Sequence, residues 1–299
     1  MPYSVAFWSA QDGVAGLIDW GTCSGRSYFC KGAIAVTHDG GRTWKATWRG
    51  AAVRSVTVVR GTTHAWAGVE PLESCGKSIA SPCPTQLLHS RDRGLTWRQI
   101  AEEHLVEPSF VSDRVGFAFR SRPGTEKMGP LLRTLDGGRT WQRLGGPCLG
   151  ELGGTLSFAT PRRGWVLCTS QPGGGMQPKA IFETGNGGRT WRLVAEARWT
   201  GSRSRGGLST GGYPYGISFS ANGEGLLWQA RGDTFSTRDG GRHWQPLELT
   251  DPEIVEGHAG CVVSPRMRFL LLRNDRVGEF QLLRNRGGGW QIVHRWDRR

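Results

Sequence analysis

The sequence predicts an all-β fold assembled from repeats of one four-stranded unit, and three observations predict it. The first is an eight-residue pattern, Ser/Thr-x-Asp-x-Gly-x-Thr-Trp, that recurs along the chain. The second is its regular return: the closing Trp stands at 44, 97, 141, 191, 244 and 290, at intervals of 44 to 53 residues. A period in this range is the signature of a repeat architecture. The third is what lies between the copies. Short apolar runs bounded by Gly, Asn, Asp or Pro read as strands, and no segment sustains a helical period. Fourteen Trp and 46 Gly in 299 residues are the excesses that Gly-turn-plus-Trp units would produce.

Each residue of the pattern has a physical role in a tight hairpin turn. In the first copy, Thr37-His38-Asp39-Gly40-Gly41-Arg42-Thr43-Trp44, Asp39 can accept hydrogen bonds from backbone N–H groups further on, so the loop folds around its own side chain. Gly41 supplies the positive φ that a short hairpin loop needs. Thr43 and Trp44 are strand formers, and the indole is large enough to fill a gap between packed sheets. The same positions recur as Asp92, Gly94, Thr96 and Trp97, and as Asp136, Gly138, Thr140 and Trp141. Asn replaces Asp in Asn186, Gly188, Thr190 and Trp191, and His243 replaces the second Thr between Asp239, Gly241 and Trp244. A worn sixth copy keeps Asn285 and Trp290.

Two strands precede each turn. The first repeat shows Ser4–Trp8 and Val14–Ile18, and the second Val53–Val59 and His64–Val69. The third shows Pro108–Ser112 and Val115–Arg120, and the fourth Thr155–Ala159 and Gly164–Thr169. The fifth shows Gly216–Ser220 and Gly225–Gln229, and the sixth Gly260–Ser264 and Arg268–Arg273. With the two strands flanking each turn, every repeat makes four strands, which is one propeller blade. The expected fold is a six-bladed β-propeller of four-stranded antiparallel blades forming a single domain over 1–299. Blades fall near 1–50, 51–104, 105–147, 148–197, 198–250 and 251–299, and a seventh is the alternative if one blade has lost its turn motif.

These motifs resemble the Asp-box, or BNR repeat, of sialidases, sortilins and the photosystem II assembly-factor propellers, and the resemblance covers essentially the whole chain. The size, blade pattern and repeated Asp-Gly-Gly-Arg-Thr-Trp form are most similar to the assembly-factor group. That resemblance implies a propeller that binds a partner protein and does no chemistry, with an Arg-rich patch involved.

Propeller geometry sorts the loops. With strands running a to d, the Asp-box joins c to d at one face, while the b–c loops and d–a links lie at the other. By fold-level analogy ligands sit on that second face. Here it carries the long irregular segments 19–33, 70–86, 120–130, 145–154, 170–179 and 197–215, which marks it as the functional side. The cysteines agree. Cys23 and Cys30 bracket one b–c loop, Cys75 and Cys83 the next, and Cys148 and Cys168 fall on the same face. Three disulfides are the expectation, hence an extracytoplasmic protein, with small buried thiols as the alternative. Cysteine spacing gives no metal site. No signal segment is visible at Met1–Trp8, and no run of about 18 apolar residues predicts a transmembrane helix.

The formal net charge is +13, from 38 Lys and Arg against 25 Asp and Glu. Arg42, Arg139, Arg189 and Arg242 lie in the Asp-boxes, so part of the charge borders the turn face. It reads either as a solvated rim or as a docking surface for acidic or phosphate-bearing partners. Arg198, Trp199, Arg203, Arg205, Tyr213 and Tyr215 interleave cations and aromatics in the longest d–a link. That composition suits a protein partner, an acidic one included, or a carbohydrate, with a flexible Gly/Ser/Arg loop that binds nothing as the alternative. Nucleic acid is disfavoured, since no recognised binding module accompanies the basic charge. The chain is expected to be a monomer without cofactor.

Similarity to sialidases would imply an Arg triad, an acid/base carboxylate and a Tyr–Glu nucleophile pair. There is no Arg before Arg26, and none of the four tyrosines, Tyr3, Tyr28, Tyr213 and Tyr215, stands in such a pairing. A glycosidase would need two facing carboxylates. The candidates on the loop face are Asp19, Glu70, Glu73, Glu102, Glu103, Glu151 and Glu196. No G-x-S-x-G, H-E-x-x-H or phosphate loop is present. The reading is a non-catalytic, exported interaction scaffold, with a sialidase-like glycoside hydrolase as the alternative and no catalytic residue assigned.

Overall fold

The computed structural model describes residues 1–23, 30–70, 84–121, 127–199, 204–231, 233–249, 256–274 and 278–296. Among them the chain is almost wholly β. The first sheet contains β1 (Pro2–Phe7), β2 (Gly13–Asp19), β3 (Lys31–Thr37) and β4 (Lys45–Ala51). The second contains β5 (Val53–Val58), β6 (Ala65–Val69), β7 (Thr85–Ser90) and β8 (Arg98–Glu103). The third contains β9 (Leu105–Phe110), β10 (Gly116–Ser121), β11 (Met128–Thr134) and β12 (Gln142–Gly145). The fourth contains β13 (Gly153–Phe158), β14 (Gly164–Thr169), β15 (Lys179–Thr184) and β16 (Arg192–Ala197). The fifth repeat contributes β17 (Tyr213–Phe219), β18 (Gly225–Ala230), β19 (Phe235–Thr237) and β20 (Gln245–Pro246). The sixth contributes β21 (Glu256–Ser264), β22 (Met267–Asn274), β23 (Glu279–Asn285) and β24 (Trp290–Trp296). Consecutive strands pair as antiparallel neighbours, and one bridge, Ala230 to Glu256, joins the last two repeats into a larger sheet. Two compact units emerge, Met1–Glu126 with Leu132–Arg143 and Lys127–Leu131 with Leu144–Arg299.

Every Asp-box sits between the third and fourth strands of its repeat. The side chain closes the turn as its chemistry requires. Asp39 Oδ1 accepts from the backbone N–H groups of Arg42 and Thr43, each at 2.9 Å, and its Oδ2 from the Thr43 hydroxyl at 2.7 Å. Thr37 Oγ1 donates to Asp39 and accepts from Gly41 N–H at 3.0 Å. Gly41 has φ +90°, and Gly138 (φ +97°) would put a Cβ 2.7 Å from Leu87, so both positions need glycine. Burial would raise the Asp136 carboxyl, but the hydrogen bonds from Thr140, Thr134 and Arg139 outweigh it and hold the pKa at about 2. Asp239 is held at about 2 in the same way, with His243 in place of the second Thr. Asn186 keeps the turn as an amide, accepting from Thr190 N–H and donating to the Thr190 hydroxyl. In the worn copy Asn285 accepts from Gly287 N–H at 2.7 Å.

The box tryptophans differ from expectation. Trp44, Trp97, Trp141, Trp191 and Trp290 are half-buried, and of the six only Trp244 is inside. In the first five copies Nε1 bonds locally, as in Trp141 to the Gly138 carbonyl at 3.1 Å, and Trp97, Trp141 and Trp290 pack against the rims of core clusters. The deep positions belong to strand-b tryptophans. Trp66 and Trp165 are fully buried, stack on Phe110 and Phe219 with centroids 3.9 and 4.1 Å apart, and donate to the Gly137 and Gly240 carbonyls.

Candidate functional site

In the second unit, the loop after β14 and the link before β17 are knitted into one platform. β14 and β15 meet the Asp-box at one end, so the 170–178 loop lies at the opposite end of the same sheet. Gly173 and Met176 exchange both backbone hydrogen bonds, Gln177 N–H donates to the Thr210 carbonyl at 2.7 Å, and Gly212 N–H to the Gly175 carbonyl at 3.0 Å. Glu196 and Arg205 exchange another pair. Below the platform the Cys148–Cys168 disulfide ties the incoming link to the end of β14, and Ser170 donates to Glu151 at 2.6 Å. Cys23 and Cys30 are also disulfide-bonded, in the first unit, while Cys75 and Cys83 lie outside the described residues.

A buried lysine anchors the platform. Lys179 is 2% exposed, and its ammonium donates to the Gly211 carbonyl at 2.7 Å and to Gln229 Oε1 at 2.8 Å. Burial alone pulls its pKa down to about 8. Carbonyl dipoles take the place of a counter-ion, which fixes the 211–212 backbone over β15 and β18.

Of the residues expected to bind a partner, the structure brings four together here. Trp199 is 46% exposed and lies beside Gly173, 3.6 Å from where a Cβ would stand. Arg198 pairs with Glu196 at 2.7 Å, Arg205 presents an exposed side chain, and the Tyr213 hydroxyl accepts from Gly175 N–H at 2.9 Å. Tyr215 sits apart, at the bulge in β17, with its ring 5.6 Å from that of His258. Arg203 lies outside the described residues. Met176, 41% exposed, joins the surface and was absent from the sequence reading, as was Lys179. Lys179 carried one signal: it is one of five lysines in a chain with 33 arginines, and it follows Pro178 at a strand start.

Five of the loop-face carboxylates are engaged, Glu151 by Ser170 as above, and Glu102 is exposed. Glu70 pairs with Arg54 at 2.9 Å, Glu103 with Arg120 at 3.2 Å, Glu196 with Arg198, and Asp19 caps Gly21 N–H. Glu73 lies outside the described residues. Among the described residues no three His, Cys, Asp or Glu side chains are placed to hold a metal ion, and no helix is long and apolar enough to cross a membrane.

No protein-family model matches the chain. It is 27% identical over 172 residues to the photosystem II stability/assembly factor HCF136 of Arabidopsis thaliana, a match covering 54% of this chain and 40% of that protein. The structure of YCF48 bound to D1 peptide is similar at a TM-score of 0.52 and 17% identity, over 96% of this chain and 79% of that one. An α-L-arabinofuranosidase from Fusarium graminearum gives 0.59 at 12% identity, over 91% and 88%. The propeller domain of the Trilobed protease from Pyrococcus furiosus gives 0.53 at 8% identity, over 98% of both. These likenesses agree on architecture across proteins of different activity. In fold, the chain is a β-propeller, as these structures are.

Proposed function

We propose that this chain is a non-catalytic scaffold that binds a protein partner on the platform of its second unit, and that the partner is acidic. The observation that carries the reading is the exposed Trp199–Met176 surface, flanked by Arg198 and Arg205 on a backbone held in place before any partner arrives. Aromatic and Arg side chains on a pre-ordered surface are what interface hot spots are made of. The D1 peptide on YCF48 and the assembly role in the name of HCF136 favour a protein ligand. The two disulfides among the described residues favour an extracytoplasmic location, where such bonds persist. A carbohydrate enzyme has less support, because Glu70, Glu103 and Glu196 are paired with arginines and Asp19 caps backbone rather than facing a second carboxylate.

The test is capture from the source organism's extract at low and moderate salt, with wild type, Trp199→Ala and Arg205→Glu baits of unchanged melting temperature. A glycoside and sialoside panel runs beside it. The expected result is a salt-sensitive partner lost in both variants and no turnover. A partner retained by both variants overturns the placement, and turnover of a glycoside overturns the non-catalytic reading.

A further inference from the structure

The two buried strand-b tryptophans sit in the same local frame, one in each unit. Trp165 donates to the Gly240 carbonyl at 3.0 Å and stacks on Phe219, which meets Trp244 edge-on at 5.7 Å. Trp66 donates to the Gly137 carbonyl at 3.0 Å and stacks on Phe110, which meets Trp141 edge-on at 6.0 Å. The correspondence extends to the polar neighbours. Two residues before each Trp stand Arg163 and His64. Across the next strand stand Glu183, paired with Trp165, and His89, paired with Trp66. One strand further out are Arg192 and Arg98, and in the box that receives each indole are Arg242 and Arg139.

In the second unit this frame is electrically complete. The Glu183 carboxylate, with a side chain 11% exposed, accepts from Arg163 at 3.0 Å and from Arg192 at 2.6 Å, and lies 3.8 Å from Arg242. In the first unit His89 stands for the carboxylate and His64 for Arg163, while Arg98 and Arg139 keep the places of Arg192 and Arg242, and Arg91 and Arg114 are added. The frame opens there into a cleft of about 220 Å³ lined by His64, His89, Arg91, Arg114 and Arg139, with Asp113 and Asp136. Neither acid replaces Glu183. The Asp136 carboxylate is taken up by Thr134, Thr140 and the backbone of its own turn, and Asp113 is solvent-exposed at the margin.

We infer that this cleft of the first unit binds an oxyanion, a carboxylate or phosphate group, in the place that Glu183 fills from within in the second. Two of the lining arginines are held in place by backbone carbonyls. Arg114 is held through Nε to the Leu135 carbonyl at 3.3 Å and Arg139 through Nη1 to the Asp136 carbonyl at 2.8 Å, which leaves their other N–H groups for a ligand. Among the described residues Arg91 has no ion pair. His64 Nδ1 and His89 Nε2 are 3.0 Å apart and share one proton. Whichever ring carries it, the neutral pair retains one outward N–H donor. Burial first, then the positive charge of His64, Arg91 and Arg139, lowers the His89 pKa to about 4, against the opposing pull of Asp113. The burial part of that shift opposes any charge, and only the part due to the neighbouring cations works in favour of an anion.

The test is titration of the full chain with inorganic phosphate and, separately, with acetate, at constant ionic strength. It is read by calorimetry and by the His64 and His89 ring resonances, with far-UV circular dichroism as the fold check. Wild type is expected to show one saturable site, and the stronger of the two ions reveals which oxyanion the cleft prefers. His89→Glu supplies the missing carboxylate and should abolish binding while leaving the melting temperature unchanged or higher. Arg91→Gln should weaken binding about tenfold or more, as for loss of a charge-assisted hydrogen bond. Glu183→His should open a second site and double the stoichiometry. Absence of saturable binding to wild type, or full binding by a folded His89→Glu protein, would overturn the inference. The outcome is independent of the partner platform, which lies in the other unit.

Discussion

Replacing Trp66 by Ala should cost far more stability than replacing Trp141, although the repeat motif singles out the second. Trp66 is fully buried, stacked between Phe110 at 3.9 Å and His89 at 4.4 Å, with its indole N–H on the Gly137 carbonyl. Truncating a large buried aromatic costs about 3–5 kcal/mol. Losing two stacked partners and stranding a carbonyl places Trp66→Ala at the upper end of that range, about 4–5 kcal/mol. Trp141 is half-buried, touches Phe110 edge-on, and bonds only to a carbonyl three residues back, which water can satisfy after truncation. About half the area is at stake, so Trp141→Ala should cost about 1–2 kcal/mol. Trp66→Phe keeps the stack and loses the N–H, for about 1–2 kcal/mol. Urea unfolding followed by tryptophan fluorescence and circular dichroism would measure all three as shifts in midpoint at constant slope. Equal losses for Trp66→Ala and Trp141→Ala would refute the assignment of the strand-b tryptophans as the packing anchors.

Two further outcomes follow from buried bases. His89 has its pKa lowered from 6.5 to about 4, so the unfolded chain binds the extra proton throughout that window and stability falls as pH drops through it. After allowance for solvent screening in an open cleft this is about 1–2 kcal/mol, and His89→Gln should remove that part of the difference between urea midpoints at pH 7 and pH 4.5. Lys179→Met leaves the Gly211 carbonyl and Gln229 Oε1 without their donor. It should cost about 1–3 kcal/mol and speed hydrogen exchange at the Gln177 and Gly212 amides, whereas unchanged protection there would show that the lysine does not hold the platform.

The turns were legible because their geometry is local. Asp39, Gly41 and Thr43 act within eight residues, so the pattern that names them is also the full list of their partners. Strand b of the fourth repeat was legible to the residue, Gly164–Thr169, because glycine and a polar turn bound it. Strand a was read late in the third repeat, from Pro108 rather than Leu105. Proline signals a start, but here β9 begins before it and passes through Glu107 at φ +48°, with a shift in register opposite. The tryptophan roles were not legible, since residue type gives the size of an indole and not the sheet that covers it. Nor was the His64–His89 pair, 25 residues apart in sequence, which meets only because Trp66 and His89 are opposite in the β6–β7 register.

The basic charge can now be divided by what each arginine touches. Arg42, Arg139 and Arg242 donate to the carbonyls of Asp39, Asp136 and Asp239, the first acid of their own box, at 3.3, 2.8 and 2.6 Å. Part of the excess over neutrality is therefore spent on stapling turns, and its repetition follows from the repetition of the turn. Arg163 and Arg192 belong to Glu183, and Arg54 and Arg120 to Glu70 and Glu103. What remains is unevenly placed. Arg205 is exposed on the platform that carries Trp199, and Arg91 stands in the cleft where His89 takes the place of Glu183. A net charge of +13 would suggest a general affinity for acidic surfaces. The pairing pattern narrows this: substitution of Arg42 or Arg242 should act on stability alone, Arg139, which both staples its turn and lines the cleft, should act on both, and Arg91 and Arg205 should change what the protein binds.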